Sequence, residues 1–227
     1  MALAESLRMV FARPHKAGTP FIAAGAVLSV VGLLVSGWLF WPAALFTLFC
    51  LYFFRDPERY PPPREGLVVA PADGHIVSVQ MAPPPVELDM GAEPVWRVAI
   101  FLSVMDVHVN RSPVAGMVTR VAYHHGKFLS ANMDKASDEN ERNALAIRIP
   151  DGRMLACVQI AGLIARRILC DAKSGDVLAA GERFGIIRFG SRTDVYLPPG
   201  VTPIVSVGQT MIGGETVLAH LDETPLA

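Results

Sequence analysis

A chain of 227 residues with a formal net charge of −1 is long enough for one ordinary domain with its own core. The near-zero charge argues against a nucleic-acid partner, since generic nucleic-acid binders carry a strong basic excess. The three cysteines, Cys50, Cys157 and Cys170, show no Cys-x-x-Cys or Cys/His metal spacing, so no metal is predicted. Unpaired thiols of this kind suit a reducing compartment.

The first distinct feature in chain order is the stretch from Pro20 to Phe54, which contains no charged side chain. This stretch is too long for one buried core helix and predicts a membrane-embedded segment. Ser36–Trp38 and Trp41–Pro42 interrupt it, which indicates a hairpin of two helical arms of about 17 residues each. That length is at the lower limit for crossing a bilayer, so both a full crossing and a shallow re-entrant hairpin remain open.

Basic residues flank the apolar stretch on both sides: Arg8, Arg13 and Lys16 precede it, and Arg55, Arg59 and Arg64 follow it. The positive-inside tendency therefore puts both ends in the cytoplasm. A cleaved signal peptide fits poorly, because a second apolar segment follows at once and no Ala-x-Ala site is evident. We predict that residues 1–60 anchor the protein in the cell membrane, with the remainder on the cytoplasmic face.

After the stiff connector Tyr60–Pro63, residues 61–227 show short β-like runs bounded by Pro and Gly. The runs are Leu67–Val69, His75–Val79, Val95–Leu102, Met117–Tyr123, Ala144–Ile149 and Met154–Ile160. Met81–Pro94 and Leu129–Arg142 are predicted to be loops between them. This pattern is typical of a barrel or sandwich, so the predicted fold class is mainly β.

Two weak internal repeats refine that fold prediction. Pro71–Val77 is similar in shape to Pro113–Val118, and Gly175–Glu182 is similar to Gly208–Glu215. Such paired turns resemble the barrel-sandwich hybrid of biotinyl and lipoyl domains, which raises the alternative of a membrane-anchored carrier or interaction module. A carrier needs a lysine on the hairpin between the two halves, and no lysine lies between Gly181 and Gly208. The carrier alternative is therefore disfavoured.

The centre of that region is occupied instead by Gly190-Ser191, between two β-patterned segments within Phe184–Pro198. A serine directly after glycine can attack the carbonyl carbon of its own preceding peptide bond, and glycine offers no side chain to obstruct the attack. The resulting ester, after β-elimination and hydrolysis, would leave a pyruvoyl group at position 191. On its own, Gly-Ser is also a common turn dipeptide.

Three further motifs precede this dipeptide: Arg55–Arg59, Ala70–Gly74 and Met105–Pro113. In this order, over about Phe53 to Thr216, the chain resembles the short bacterial and archaeal phosphatidylserine decarboxylase proenzymes. The resemblance implies self-cleavage into a large chain, 1–190, and a small chain, 191–227, which stay together as a heterodimer, either alone or within a higher oligomer. It also implies decarboxylation of phosphatidylserine in the membrane to phosphatidylethanolamine by the pyruvoyl group, with no metal.

The resemblance also implies roles for individual residues. Asp73 matches the family's orienting carboxylate, and His108 is the best-placed histidine. Serine needs a base to become a good nucleophile, and histidine is the usual one near neutral pH. The candidates are His75, His108, His124, His125 and His220. After maturation, His108 is also the natural donor of the proton that replaces CO2.

Position 111 departs from the pattern of the longer members of that family. They carry a second histidine three positions after the first, as the base of the cleavage step, and this chain has Arg111 there. Either His108 serves both steps, or another histidine such as His124 or His125 enters from a neighbouring strand.

A lipid phosphate would need cations or backbone N–H groups, and Arg111, Lys127 and Arg142 are the candidates. A related pyruvoyl enzyme that acts on a free amino acid is a further alternative. The apolar N-terminal stretch argues against it, because a soluble substrate requires no membrane anchor.

Overall fold

The computed structural model describes residues 12–126, 140–162, 167–188 and 190–222. The chain forms two compact units, Met1–Glu58 and Arg59–Ala227. Arg8, Lys127 and most of the predicted loop Leu129–Arg142 lie outside the described residues.

The first unit contains a pair of apolar helices, α1 (Thr19–Val35) and α2 (Gly37–Phe53). Ser36 separates them in an extended conformation, with φ of −164° and ψ of 124°, so the predicted interruption at this point is confirmed. Small residues let the two helices pack closely, since a Cβ on Gly25 would lie 2.5 Å from Thr47 Oγ1. A Cβ on Gly32 would lie 2.8 Å from the backbone of the second helix.

The outer surface of this helix pair is apolar. Leu34 is 80% exposed and Trp38 is 88% exposed, which is unfavourable in water. Among the described residues, the helical segment Lys16–Val35 is long and apolar enough to cross a membrane. The second helix, at 17 residues, is apolar but shorter. These features support association with a membrane.

The second unit is built from β-strands, as predicted. The strands are β1 (Leu67–Val69), β2 (Gly74–Ala82), β3 (Val95–Leu102), β4 (Val109–Arg111), β5 (Gly116–His124), β6 (Arg142–Arg148), β7 (Met154–Ala161), β8 (Arg167–Cys170), β9 (Val177–Leu178), β10 (Arg183–Arg188), β11 (Ser191–Tyr196), β12 (Thr210–Met211) and β13 (Val217–His220). A short 3₁₀ helix, Val86–Leu88, lies between β2 and β3.

These strands form three antiparallel sheets. The largest is a curled sheet with the order β12-β2-β3-β11-β7-β6-β5-β9. A three-stranded sheet has the order β4-β10-β8, and β1 pairs with β13. The main core consists of aliphatic side chains from the large sheet and its connections, including Val98, Leu145 and Val195.

Strand β11 lies in the interior of the large sheet, between β3 and β7. All six of its residues are buried. Its first residue, Ser191, is paired with Leu102 on β3 and with Ala161 on β7. The chain enters this strand directly from β10 of the three-stranded sheet, so Gly190-Ser191 lies where the two sheets are joined.

Two charged residues of β11 point away from the face that carries Ser191, because alternate residues of a strand face opposite sides. Arg192 donates from Nε to Asp194 Oδ1 at 2.6 Å and from Nη2 to Oδ2 at 3.0 Å. Both side chains are fully buried. Arg97 on β3 adds a second cation, with its Nε 3.9 Å from Asp194 Oδ2. A buried carboxylate is tolerated only with such partners.

We expect Asp194→Asn, made in an uncleavable Ser191→Ala background, to lower the free energy of unfolding by about 3–5 kcal/mol, because it leaves the Arg192 charge buried without its counter-ion. Urea unfolding of the full chain in detergent measures this. The control is Asp151→Asn, which breaks an exposed ion pair with Arg153 (2.6 Å) and should cost only about 0–1 kcal/mol. Equal losses in the two variants would contradict the assignment.

Candidate active site at Gly190-Ser191

Gly190 occupies a backbone conformation that favours glycine. Its φ is +74°, in the left-handed region that L residues with a side chain adopt only under strain. A Cβ at this position would meet no atom within 4 Å, so the requirement for glycine is conformational rather than spatial. The bend delivers the chain from the end of β10 into the start of β11.

Ser191 follows this bend with its side chain fully buried. Its Oγ has no hydrogen-bond partner among the described residues. An unpaired buried hydroxyl costs about 1–3 kcal/mol, so most buried hydroxyls are paired. The contrast with Ser112 is informative, because that buried serine donates its hydroxyl hydrogen to Val114 O at 2.7 Å. The Ser191 hydroxyl is therefore not used for structure and is available for chemistry.

His108 contacts the backbone N–H of Gly190, the residue before Ser191. Its side chain is fully buried, and its Nε2 accepts a hydrogen bond from the Gly190 N–H at 3.3 Å. The other ring nitrogen, Nδ1, lies 3.0 Å from the Asp106 carbonyl oxygen. Because a carbonyl only accepts, Nδ1 carries the hydrogen and the Nε2 lone pair faces Gly190. The imidazole is thus held as a neutral base.

A tight turn after β3 fixes the Asp106 carbonyl that orients His108. The Asp106 carboxylate accepts from the Ser103 N–H at 2.8 Å, and the Asp106 N–H donates to the Ser103 carbonyl at 2.9 Å. These reciprocal bonds hold the turn. β3 ends at Leu102, the partner of Ser191, so the turn that orients the imidazole begins beside the serine.

The carbonyl side of Gly190 is also held. Its oxygen accepts from the Gly162 N–H at 3.2 Å. Gly162 follows Ala161, the β7 partner of Ser191. Gly190 is therefore held at its N–H by the His108 side chain, just before β4, and at its carbonyl by the Gly162 N–H, just after β7.

The Asp73 carboxylate is hydrogen-bonded to Arg59 and Gly213. One carboxylate oxygen, Oδ2, accepts from Arg59 Nη2 at 2.6 Å, and the other, Oδ1, accepts from the Gly213 N–H at 2.8 Å. Arg111 is buried near the same turn, since a Cβ on Gly214 would lie 3.0 Å from its Cδ. The Arg111 guanidinium donates from Nη1 to the Gly181 carbonyl at 2.9 Å.

The remaining histidines have different environments. His75, His124 and His125 are exposed, and His125 Nδ1 lies 3.8 Å from Glu141 Oε2. His220 lies on β13, where its backbone pairs with Leu67. In the described parts of the chain, His108 is the histidine whose ring is hydrogen-bonded to the Gly190-Ser191 segment.

Arg142, one of the predicted phosphate ligands, forms an ion pair with Glu87. It is buried, and its Nε donates to Glu87 Oε1 at 2.6 Å. Burial opposes ionisation of Glu87, but the hydrogen bond and charge of Arg142 outweigh it, so the pKa of the Glu87 carboxyl is lowered. The charge of Arg142 is therefore already balanced by an acid.

Sequence reasoning missed two cations near the start of β11, Arg188 and Arg167. Arg188 ends β10, three residues before the serine, and Arg167 is its cross-strand partner on β8. Burial, and then the neighbouring Arg167 charge, lower the pKa of Arg188. Arg188 was visible in the sequence next to the Gly-Ser dipeptide, but its pairing with Arg167 depends on the register of two strands.

Sequence reasoning also missed a chain of buried amides that links the two larger sheets. Asn110 on β4 accepts from Gln159 Nε2 at 2.8 Å, and Gln159 accepts from Asn143 Nδ2 at 2.9 Å. These groups lie between the three-stranded sheet and the large sheet. No cluster of three or more His, Cys, Asp or Glu side chains arranged for a metal is found in the part of the chain that the structure describes.

The chain is thus a β-protein with a candidate self-processing site: a buried unpaired serine follows a left-handed glycine, and a histidine accepts a hydrogen bond from the N–H of that glycine. The family model for phosphatidylserine decarboxylase matches residues 46–219. The chain belongs to the phosphatidylserine decarboxylase family, which is a family of enzymes.

Three relatives named phosphatidylserine decarboxylase proenzyme are similar over almost their whole length. The protein from Granulibacter bethesdensis is 66% identical, over 97% of this chain and 91% of its own. The proteins from Gluconacetobacter diazotrophicus and Gluconobacter oxydans are 63% and 60% identical, each over 97% of this chain and 100% of its own. The resemblance stated from the motifs is confirmed.

Proposed function

We propose that this chain cleaves itself between Gly190 and Ser191 and then decarboxylates phosphatidylserine to phosphatidylethanolamine, with a pyruvoyl group formed from Ser191. The observation that carries the proposal is the unpaired, buried Ser191 Oγ beside a glycine that His108 contacts. The word proenzyme in the names of the relatives supports processing, and their names supply the substrate.

In the cleavage step, Ser191 Oγ forms a bond to the Gly190 carbonyl carbon, and His108 Nε2 takes the hydroxyl proton. The carbonyl electron pair moves to oxygen and then returns as the bond from the Gly190 carbon to the Ser191 nitrogen breaks. The nitrogen receives the proton from His108, which is again neutral. The amide has become an ester, and the imidazole has acted first as base and then as acid.

The ester is then lost by elimination. A base removes the Ser191 Cα proton, the Oγ–Cβ bond breaks, and Gly190 leaves as a carboxylate. The dehydroalanine left behind tautomerises and is hydrolysed, taking up water and releasing ammonia. The large chain, 1–190, ends at Gly190, and the small chain, 191–227, begins with the pyruvoyl group.

The buried setting of position 191 suits the second reaction. A pyruvoyl group supplies a ketone that condenses with the substrate amine and accepts the electron pair left when CO2 departs. A carboxylate in an apolar site is poorly solvated, and its loss as neutral CO2 relieves that cost. His108 is the residue positioned to hold and deliver the proton that takes the place of CO2.

The position of β11 also supports an assembly of both chains. Residues 191–196 pair on one side with β3 and on the other with β7, and both of those strands belong to the large chain. Breaking the peptide bond before Ser191 and losing its nitrogen leaves the pairings of residues 192–196 in place. The small chain is therefore held in a heterodimer by its inner strand β11.

The N-terminal helix pair supports delivery of a lipid substrate. We propose that residues 1–60 hold the enzyme at the cell membrane and that the catalytic part, 61–227, lies on the cytoplasmic face, since Arg13, Lys16 and Arg55 flank the apolar helices. The carrier alternative has no lysine at the required place and is not favoured.

The first test is the fate of the purified chain under denaturing conditions. Two chains, 1–190 and 191–227, are expected, and the intact mass of the smaller should be lower by one ammonia than that of the serine-ended peptide. Ser191→Ala should remain one inactive chain. Ser112→Ala removes another buried serine hydroxyl and should still cleave. Wild-type protein that stays intact yet active would sink the proposal.

A second test separates the roles of His108 and Asp73. His108→Ala should mature slowly, and its matured fraction should release CO2 from labelled phosphatidylserine poorly, because both steps use the imidazole. If Asp73 is the orienting carboxylate that the family resemblance implies, Asp73→Ala should accumulate precursor, since loss of a correctly held base costs roughly 10⁴-fold in serine proteases. If the Asp106 carbonyl alone orients the ring, Asp73→Ala should mature at the wild-type rate. Asp176→Ala is the control, since that carboxylate only accepts from the Lys173 N–H in a turn.

The readouts are gel densitometry over time and CO2 release per pyruvoyl-bearing chain. Normal maturation together with normal turnover in His108→Ala would remove this histidine from the mechanism. His124 and His125 would then be the next residues to replace.

A third test concerns the membrane. Carbonate extraction should leave the full chain in the membrane, whereas a chain lacking residues 1–58 should be released, because it has lost the apolar helices. An impermeant thiol reagent should reach His15→Cys and Arg64→Cys only from the cytoplasmic side. Labelling of either from the periplasmic side would refute the topology. Ser36→Cys, between the two helices, should be labelled from the periplasmic side if the hairpin crosses the membrane fully and not if it is re-entrant.

A further inference from the structure

The hydrogen bond from the Gly162 N–H to the Gly190 carbonyl oxygen, at 3.2 Å, has a chemical consequence. This oxygen belongs to the peptide bond that would be attacked by Ser191. As the hydroxyl adds to the carbonyl carbon, the oxygen takes a full negative charge. A donor that already points at it is placed where that charge develops, and such donors account for a large part of catalysis in acyl transfer.

The peptide that carries this donor is itself held firmly. Asn140 Nδ2 donates to the Ala161 carbonyl at 2.8 Å, and the Ala161 N–H donates to the Glu141 carbonyl at 2.9 Å. A peptide unit is planar and trans, so fixing the Ala161 carbonyl also fixes the direction of the Gly162 N–H on the opposite side. The Asn140 side chain is fully buried, which limits its movement.

We infer that the Gly162 backbone N–H is the oxyanion donor of the cleavage step and that Asn140 is the positioning residue that aims it. The inference rests on the proposed self-cleavage at Gly190-Ser191. In the addition step the bond from Ser191 Oγ to the Gly190 carbon forms, the proton goes to His108, and the electron pair on the Gly190 oxygen is stabilised by Gly162. When the carbon–nitrogen bond breaks, that charge returns to the carbonyl.

The hydrogen bond from Gly162 to Gly190 differs from an ordinary backbone hydrogen bond of the sheet, because the charge on its acceptor changes during the reaction. In the precursor the Gly162 N–H donates to a neutral carbonyl oxygen, and in the transition state it donates to an oxyanion. Hydrogen bonds to a charged acceptor are roughly twice as strong as those between neutral groups. Only an interaction that strengthens on the way to the transition state raises the rate. The bond also lies beyond the end of β7, at the point where Ser191 begins β11.

The direct test removes the N–H without changing the side chain. Replacing Gly162 by glycolic acid, through suppression of a nonsense codon in the full-length gene, turns the Ala161–Gly162 amide into an ester. Loss of one oxyanion donor should slow cleavage by about 10²–10³-fold. The control is the same replacement at Gly152, whose N–H donates to the Ile149 carbonyl at 2.9 Å in a turn and should leave cleavage unchanged.

A pair of asparagines tests the positioning role. Asn140→Ala should slow cleavage on the order of 10²-fold, because a misplaced donor no longer meets the oxyanion. Asn143→Ala removes an equally buried amide, hydrogen-bonded to Gln159 at 2.9 Å, and should cleave near the wild-type rate. Unfolding measured in the Ser191→Ala background should show similar losses of stability for both, so that stability alone does not explain a difference in rate.

The outcomes separate this inference from the proposed function. Wild-type speed in the Gly162 ester would overturn the oxyanion assignment while leaving self-cleavage intact. Equal slowing by the two asparagine variants, in step with their stability, would overturn the positioning role of Asn140. A wild-type chain that never divides would overturn the proposed function and this inference with it.

Discussion

The site depends on how one glycine residue is held where two sheets meet. The Gly190 N–H is bonded to His108, and its carbonyl is bonded to the Gly162 N–H, so both polar groups of its backbone are engaged. The left-handed φ of +74° turns the chain from β10 into β11 between these two contacts. Serine at the next position is thereby buried with its hydroxyl unpaired. A reactive arrangement thus follows from backbone constraints more than from a cluster of charged side chains.

The strand that follows explains how such a site can survive a break in the chain. β11 is an inner strand, and the charges of Arg192 and Asp194 are satisfied on the face away from Ser191. The neighbouring strands supply its backbone partners along its full length. Chain cleavage at its first residue would remove one covalent link and leave the hydrogen bonds, the ion pair and the packed core in place. The same geometry would therefore suit both the precursor and the processed form that we propose.

Much of this architecture could be predicted from local sequence. The apolar stretch with its central interruption predicted the helix pair, and alternation bounded by Pro and Gly predicted strands such as β3, whose limits match the prediction. β4 was not predicted, because it has three residues and two of them, Asn110 and Arg111, are polar but buried. Burial of that kind is decided by partners such as Gln159 that lie far away in the sequence.

The site was predictable only in part for the same reason. Gly-Ser is visible as a dipeptide, and its match to the family motifs drew attention to Ser191 and His108. The contact of Gly162 with Gly190 leaves no local pattern, because it depends on the register of β7 against β11. The contact of Asn140 with Ala161 likewise depends on the register of β6 against β7. Likewise, Arg142 carries the positive charge that a phosphate ligand needs, and only the structure shows that Glu87 already balances this charge.

The groups that hydrogen-bond the Gly190 backbone and orient His108 are uncharged, and this bears on the order of the proton transfers. His108 is held with its lone pair towards the glycine by the carbonyl of Asp106, which carries no charge. An adjacent carboxylate would raise the basicity of the imidazole and favour its protonated form at rest, whereas a carbonyl fixes the tautomer without adding a charge. A base needs to be neutral to accept the Ser191 proton, and an acid needs that same proton to release the nitrogen. A buried imidazole oriented by backbone groups can change between these states within one reaction, since the proton it receives is the one it returns.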